Sequence, residues 1–224
     1  MKDAQPGAIR LADYRPPDFL VDQVDLVFSL HEDHAIVDSA LKLRRNPAAS
    51  GDAELELDGQ ELELLELALD GQVLAADSYQ LDGDSLRLPG MPAAFTLTCR
   101  TRIRPQDNTS LEGLYKSRTM FCTQCEAEGF RKITYFPDRP DVMSVYTVTI
   151  EADKPRYPVL LSNGNLESVE DIDGGRHRAR WSDPWPKPSY LFALVAGDLG
   201  LVEDRFETRS GRCLLYTSPS PRDA

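Results

Sequence analysis

Three polar side chains lie close together in the middle of the chain, at Gln124, Glu126 and Glu128, and smaller or apolar residues separate them. In an extended segment these three side chains share one side. A pair of carboxylates flanked by apolar neighbours can hold an ammonium ion while water is excluded. The pattern is compatible with an amine-binding site, although taken alone it favours an exposed acidic loop.

Cys122 and Cys125 form a CxxC pair in the same segment, which is typical of half a zinc ribbon or of a thioredoxin-type redox pair. A redox pair is expected on a βαβ pattern, which the sequence lacks. A zinc ribbon needs a second pair of ligands, and Cys99 and Cys213 are the other thiols of the chain. The sequence favours structural, reduced thiols and leaves a zinc-binding structural domain as an alternative.

His31 and His34 flank two acidic residues and resemble a metal-binding motif. Zincin metalloproteases place two histidines four residues apart on a helix, so that both rings reach one zinc ion. Here the histidines are three residues apart and lie between two predicted strands. We predict a surface turn and no metal site.

The elements around these residues are predicted to be strands, because apolar and polar residues alternate with a period of two. Residues 24–30 and 37–44 predict a hairpin, and residues 95–103 form the clearest amphipathic strand. Further strands are predicted at 145–150, 159–161, 177–181 and 190–196, the last after an extended lead-in with Pro184, Pro186 and Pro188. No helix longer than two turns is predicted. The fold class is therefore mainly β, either a β-sandwich or curved antiparallel sheets.

Residues 54–88 also alternate with a period of two, although Glu and Leu favour helix. Leu-Asp-Gly recurs at 57–59, 69–71 and 81–83, which predicts a β-meander with Asp-Gly turns. Residues 51–90 hold eleven acidic side chains and one basic side chain, Arg87. We predict a solvated face that resists aggregation rather than a calcium site.

Composition and the lengths of the apolar runs argue against two classes of partner. The chain has 224 residues, with 25 Lys and Arg against 37 Asp and Glu, a formal net charge of -12. This acidic balance argues against nucleic acid as a partner. The sequence shows no signal peptide and no apolar run long enough to span a membrane, so we expect a cytoplasmic protein without a membrane partner.

Five segments carry motifs of higher specificity: NTSLEGLY at 108–115, CTQCEAEGFR at 122–131, TYFPDRPDV at 134–142, LSNGN at 161–165 and PKPSYLFALVAGD at 186–198. In order and spacing they resemble the bacterial aminopeptidase N family of gluzincin zinc metallopeptidases. The resemblance covers roughly residues 14–212 and is weak across the acidic meander.

The resemblance implies that residues 14–197 are the saddle-like N-terminal β domain of a larger zinc enzyme that removes single residues from peptide N-termini. Residues 1–13 are expected to be a flexible N-terminus, and residues 198–212 the start of the catalytic domain. The family's zinc-binding and catalytic motifs are absent from the sequence. We therefore expect no catalytic or metal-binding residue in this fragment, no zinc bound by it and no activity of its own. Peptide substrates and the catalytic domain of the same chain are the implied partners.

The same resemblance assigns roles to two residues of the central segment. Glu126 would bind the α-ammonium group of the substrate, and Gln124 would line the pocket for the first side chain. It also implies an unusual backbone at Glu126–Ala127, either strained or cis.

The last twelve residues, 213–224, break the pattern of the preceding sequence and show no periodicity that would let them pack. Their sequence matches one reading frame of a transposase adapter that is used to prepare sequencing libraries. We expect the natural sequence to continue differently after Arg212, and a disordered C-terminus is the alternative.

A different class of function remains open. The β domain could stand alone and bind a protein or carbohydrate on an exposed sheet face, with Trp181, Trp185 and Tyr190 as contact residues. For these three aromatic residues we favour a role in the core.

Overall fold

A computed structural model describes residues 11–49 and 54–221 of the chain. Within these ranges, helical structure is limited to short 3-10 helices at Leu11–Asp13, Phe130–Lys132, Asp173–Gly175 and Ser189–Leu191. No helix in the described part of the chain is both long and apolar enough to cross a membrane. The predicted mainly β fold is confirmed.

The strands in the described residues are, in chain order, β1 (Phe19–Leu30), β2 (Ala35–Arg45), β3 (Leu55–Asp58), β4 (Glu63–Leu69), β5 (Gln72–Val73), β6 (Gln80–Asp82), β7 (Ser85–Leu88), β8 (Ala94–Ile103), β9 (Gly113–Ser117), β10 (Met120–Gln124), β11 (Ser144–Asp153), β12 (Val159–Ser162), β13 (Asn165–Ile172), β14 (Arg176–Lys187), β15 (Leu194–Gly197), β16 (Leu199–Glu207) and β17 (Cys213–Pro221). They form an eight-stranded sheet in the order β13-β14-β11-β1-β2-β8-β4-β5 and a four-stranded sheet in the order β12-β15-β10-β9. A three-stranded sheet, β3-β7-β6, and a two-stranded sheet, β16-β17, complete the set.

The centre of the large sheet follows the predicted alternation. The predicted hairpin is present as β1 and β2, which pair antiparallel from Leu30 opposite Ala35 onward, and β8 pairs with β2. Along β8 every second side chain, from Phe95 to Ile103, is buried, as its amphipathic pattern predicts. On its other side β1 pairs in parallel with β11, in the register Gln23 opposite Val145.

The predicted single meander over residues 54–88 is wrong. Strands β4 and β5 extend the large sheet, whereas β3, β6 and β7 form the separate three-stranded sheet. The first Asp-Gly step is not a hairpin turn, because Asp58 forms a backbone bridge with Phe136. A Cβ atom on Gly59 would lie 2.3 Å from the Tyr135 ring, so a glycine is needed at this close approach. Alternation identifies a strand but not its partner.

The predicted strand at 190–196 is shorter in the structure, since Ser189–Leu191 form a 3-10 helix and β15 begins at Leu194. Pro184 and Pro186 lie within β14 rather than in a separate lead-in. Strands β9, β10 and β13 were not predicted, because their sequences alternate poorly.

The two ends of the chain are described only in part. Residues 1–10 and 222–224 lie outside the described residues, whereas Leu11–Asp13 form a 3-10 helix. Residues Cys213–Pro221, for which no element was predicted, form β17 and pair with β16 alone.

The large and the four-stranded sheets share one hydrophobic core. Phe28 on β1 stacks on Phe192, which lies two residues before the start of β15. Phe130 contacts Phe192 and also makes edge contacts with Phe136 and Tyr146. This aromatic cluster lies beside the segment that follows β10 and contains Glu126, a predicted site residue.

Candidate functional site

The candidate site is the turn that connects β10 to the 3-10 helix Phe130–Lys132. Gln124 is the last residue of β10 and lies opposite Gly113 of β9. Cys125 is buried, and residues 126–129 form a turn that the backbone N–H of Gly129 closes by donating to the Cys125 carbonyl at 2.9 Å. The Glu126–Ala127 peptide bond is cis, which confirms the unusual backbone that the resemblance implied.

The expectation of an extended segment is wrong beyond Gln124. Because the chain turns after Cys125, the side chains of Gln124, Glu126 and Glu128 do not share one side of a strand. Glu128 forms an ion pair with Arg131 at 3.4 Å. The turn therefore presents one unpaired carboxylate, Glu126, rather than a pair of carboxylates.

The Glu126 carboxylate is exposed and has no hydrogen bond or ion pair with any residue that the structure describes. Gln124 is exposed beside it, and its side-chain amide donates to the Glu126 backbone carbonyl at 3.4 Å. The structure thus brings both predicted site residues to the same turn. An unpaired carboxylate with an amide next to it can accept a charge-assisted hydrogen bond from an ammonium group.

Two glycines hold the base of this turn against β9. A Cβ atom on Gly129 would lie 2.4 Å from the Gln124 carbonyl oxygen and 2.8 Å from the Gly113 nitrogen. Gly113 has a φ of +71°, and a Cβ atom there would lie 2.9 Å from the Gly129 carbonyl oxygen. The atoms in the way belong to the backbone, so only glycine allows this approach.

A partly buried ionic network, with Asp138 at its buried centre, adjoins the turn. The Arg131 side chain donates through Nε to Asp138 Oδ2 at 3.2 Å, and its backbone N–H donates to the same oxygen at 3.1 Å. The Ser189 hydroxyl donates to the other oxygen, Asp138 Oδ1, at 2.5 Å. Asp58 joins the network by accepting from the Asp138 backbone N–H at 3.0 Å, and burial raises the pKa of the Asp58 carboxyl.

Arg131, Asp138 and Ser189 were not predicted from the sequence, although each lies in a different one of the resemblance motifs. The available signal was a charged pair, Arg131 and Asp138, in a segment rich in aromatic residues. Such charges are buried only when they are paired, so a mutual contact was predictable.

A groove of about 470 Å³ opens beside this network. Its lining includes Asp58, Glu128, Arg131 and Asp138, together with Phe19. Neither Gln124 nor Glu126 lines it. The groove and the exposed Glu126 carboxylate are therefore separate features of the same region.

The cysteines lie in the core. Cys99, Cys122 and Cys125 are free and buried. Burial raises the pKa of each thiol, to about 12 for Cys99, so the thiolate that metal binding or redox exchange requires is disfavoured. Among the described residues, no group of three or more His, Cys, Asp or Glu side chains could hold a metal ion. The residues described here do not fit a zinc site.

His31 and His34 lie at the turn between β1 and β2, as predicted. Their rings stack with a centroid distance of 4.7 Å. His31 Nε2 contacts the Ser29 hydroxyl, and its Nδ1 lies 3.5 Å from the Arg176 guanidinium. Burial and the positive charge of Arg176 lower the pKa of His31.

The three aromatic residues of the alternative binding surface have different environments. Trp181 packs against the core and donates its Nε1–H to the Leu160 carbonyl at 3.1 Å. Tyr190 is partly exposed, and Trp185 is 76% exposed. The core role expected for these residues thus holds for Trp181 and is wrong for Trp185, which lies in β14 with its ring in solvent.

Comparisons with known proteins agree on one family. The family model described as the Peptidase M1 N-terminal domain matches residues 29–191. The sequence is 52% identical to aminopeptidase N of Caulobacter vibrioides over 212 residues, which cover 95% of this chain and 24% of that protein. It is 45% identical to aminopeptidase N of Escherichia coli over 208 residues, which cover 93% of this chain and 23% of that protein. The chain spans about a quarter of the length of these relatives.

Solved structures show the same similarity. A crystal structure of Legionella pneumophila aminopeptidase A in complex with aspartic acid matches with a TM-score of 0.90 and 36% identity, covering 96% of this chain and 25% of that chain. An M1 zinc metallopeptidase from Deinococcus radiodurans, bound to a Tyr-Ser-Ala substrate, matches with a TM-score of 0.73 and 14% identity over 90% of this chain and 47% of that chain. The second likeness concerns the fold alone.

Proposed function

The chain belongs to the peptidase M1 family, whose N-terminal domain it matches, and from this we propose that it anchors the free amino group of a peptide for a zinc-dependent aminopeptidase. The catalytic domain of the same polypeptide would hold the zinc ion and carry out the hydrolysis. The domain described here would supply Glu126 for the α-ammonium group and Gln124 for the first side-chain pocket. We place the parent enzyme in the cytoplasm.

The observation that carries this proposal is the unpaired Glu126 carboxylate. Basic residues are present nearby, since Arg131 and Lys132 follow within six positions, but they pair with other acidic residues. A carboxylate kept free of internal partners is available to a cationic ligand. An exopeptidase needs such a contact, because it must fix the distance from the free amine to the bond that is cleaved.

The position of Gln124 beside Glu126 supports the same function. Its position at the end of β10 is fixed by the ladder with β9, so its side chain projects from a rigid strand. A neutral amide beside Glu126 can contact a substrate side chain without competing for the ammonium charge. In this arrangement Glu126 recognises what all substrates share, and Gln124 contacts the part that varies.

The test is the Glu126→Gln variant of the complete polypeptide that carries this chain. The substitution keeps the size of the side chain and removes its charge. Loss of one partner of a charge pair typically costs about 2–5 kcal/mol, so kcat/KM for a peptide with a free amine should fall about 30- to 5,000-fold. Glu170→Gln, which changes a carboxylate on the edge strand β13, is the matched control and should retain activity. Unchanged kinetics of Glu126→Gln in a folded protein would refute the proposal.

We also propose that residues 198–212 begin the catalytic domain and that residues 213–224 derive from an adapter. The proposed boundary is supported by the sheet arrangement of the described residues, in which β16 and β17 form a sheet separate from those that precede residue 198. Sequencing the source gene beyond the codon for Arg212 tests this. A frame that continues into zinc-binding motifs supports the proposal, and a natural message that reads through residues 213–224 and stops contradicts it.

A further inference from the structure

We propose that Arg131 and Asp138 form a clamp that positions the Glu126 turn for amine binding. This inference rests on the proposed function and assigns to both residues a positioning role. Neither residue would touch the substrate. Arg131 and Asp138 would affect substrate binding only by holding Glu126 in position.

The Arg131 guanidinium is the centre of the clamp. It faces three carboxylates, with contacts of 3.2 Å to Asp138, 3.4 Å to Glu128 and 3.6 Å to Asp58. Nη2 also donates to the Asp138 backbone carbonyl at 3.2 Å. The side chain is only 15% exposed, so these contacts lie largely out of water. Glu128 belongs to the turn itself, and one cation therefore ties the turn to two other parts of the chain.

Asp138 fixes the far side of the clamp. Its side chain is 1% exposed and its two carboxylate oxygens accept from Arg131 and Ser189. Ser189 begins the short helix before β15, the strand that pairs with β10. Asp58 ends β3 and holds the segment that contains Asp138 through the backbone bridge to Phe136. The network thus connects the turn to β3, to residues 136–138 and to the start of the β15 segment.

The geometry suits positioning rather than general stabilisation. The turn is secured at its base by the Gly129 backbone and on its outer side by the Glu128 contact. Glu126 belongs to the same turn, and its carboxylate has no hydrogen bond or ion pair with a residue that the structure describes. Its direction therefore depends on the turn. A misplacement of about 1 Å at a binding group can cost about 100-fold in rate.

The test is a double-mutant cycle in the complete polypeptide, combining Arg131→Met with Glu126→Gln. We expect Arg131→Met alone to lower kcat/KM for a free-amine peptide about 10- to 100-fold. In the Glu126→Gln background the same change should have less than about a 3-fold effect, because the anchor that it positions is already gone. Arg131→Lys keeps the positive charge but loses the planar set of guanidinium donors. Its kcat/KM should lie between those of the wild type and Arg131→Met.

The matched control is Arg178→Met. Arg178 also contacts two carboxylates, Glu151 at 2.6 Å and Glu170 at 3.2 Å, but it lies on β14 near the sheet edge. Its loss should leave kcat/KM within about 2-fold, because exposed ion pairs contribute little.

The outcomes separate the two proposals. If Glu126→Gln is impaired and Arg131→Met is silent or fully additive with it, the clamp is refuted and the amine anchor stands. If Glu126→Gln is fully active, the anchor and the clamp both fail.

Ser189→Ala covers the case in which Arg131→Met does not fold. It removes one hydrogen bond from Asp138 and leaves all charges in place. A loss of about 2- to 10-fold in kcat/KM that disappears in the Glu126→Gln background supports the clamp. An unchanged kcat/KM in folded Ser189→Ala refutes it.

Discussion

Gly129 illustrates how a single residue without a side chain shapes the candidate site. Any residue can adopt its φ of −82°. Glycine is therefore required here only because there is no room for a side chain. A methyl group at this position would meet the backbone of Gln124 and Gly113, which has no flexible end to move aside. The turn that carries Glu126 therefore depends on this close approach.

We predict that Gly129→Ala lowers the free energy of unfolding by at least about 3 kcal/mol, the upper end of typical overpacking costs. Gly71→Ala is the control, because its φ is +80° but no atom lies within 4 Å of the added methyl group. That control should lose only about 1 kcal/mol, from backbone conformation. Urea denaturation of both variants measures the difference, and equal losses would show that the close approach is unimportant.

Glu32 gives a prediction for pH dependence. Hydrogen bonds from Lys116, Tyr157 and Arg156, the largest from Lys116, lower the pKa of this carboxyl from its ordinary 4.5 to about 2. Its contribution to stability is therefore complete above about pH 4.5 and is lost as the pH falls towards 2. The side chain is 48% exposed, so solvent screening limits the contribution to about 1 kcal/mol.

We expect Glu32→Gln to be less stable than the wild type by about that amount at pH 7, with the difference shrinking between pH 4.5 and pH 2. Thermal unfolding at a series of pH values measures this, with Glu54→Gln as an exposed control. A difference that stays constant down to pH 2.5 would contradict the assigned contacts.

The residues of the site were only partly predictable from sequence. Glu126 and Gln124 were found through the resemblance, whereas their local pattern alone favoured an acidic loop. That pattern also suggested a carboxylate pair, because alternation assumes a strand and the chain turns after Cys125. The partners Arg131 and Asp138 come together through a turn whose path no periodicity encodes.

At the scale of elements, hydroxyl groups join the large sheet to the segment behind the site. Thr101 on β8 is fully buried, and its hydroxyl lies 3.3 Å from the Ile133 carbonyl and 3.4 Å from the Val37 carbonyl, as a donor. Ser39 on β2 contacts the Thr134 hydroxyl at 2.8 Å. These contacts fix the chain that follows the site against the sheet.

We predict that Thr101→Val lowers the free energy of unfolding by about 1–2 kcal/mol, because it leaves a buried carbonyl without its donor while keeping the shape of the side chain. Thr96→Val, at a partly exposed position of the same strand, should change stability by less than about 0.5 kcal/mol. Chemical denaturation of the two variants is the measurement. A Thr101→Val protein as stable as the wild type would show that this hydrogen bond contributes nothing net.

The elements were predicted best where one face of a strand is buried and the other is solvated. Strands β1, β2 and β8 meet this condition and were identified from alternation. Strand β13 does not, because it lies at the edge of the large sheet and is exposed at nearly every position. Its charged residues include Glu167 and Glu170, which pair with Arg180 and Arg178 of β14.

At the scale of the whole molecule, the four sheets do not contribute equally. The large and four-stranded sheets share the core, whereas β16 and β17 pair only with each other among the residues that the structure describes. An isolated two-stranded hairpin is marginally stable in water. The stability of the protein should therefore reside in the part before β16.

We predict that a chain ending at Arg212 unfolds at the same temperature as the chain of 224 residues, within about 2 °C. This shift corresponds to less than about 1 kcal/mol for a protein of this size. Calorimetry of the two chains is the measurement. A decrease of several degrees on truncation would show that β17 contributes to the core.

The overall class was predictable, because period-two patterns and the absence of long helical patterns restrict the choice to β architectures. The pairing of strands was not. A residue pattern records which face of a strand is buried, and it does not record that β4 joins the large sheet while β3 leaves it.

The parallel pairing of β1 with β11 has a consequence for synthesis. Ser29 on β1 pairs with Glu151 on β11, which is roughly 120 residues further along the chain. At typical elongation rates, β11 is synthesised on the order of 6–24 s after β1. The β1–β2 hairpin itself can form within about 1–10 μs. Throughout that interval the nascent chain carries an open strand edge, and open edges are templates for aggregation. The rate of translation thus sets how long this edge depends on chaperones, and codons that slow the ribosome before residue 151 lengthen its exposure.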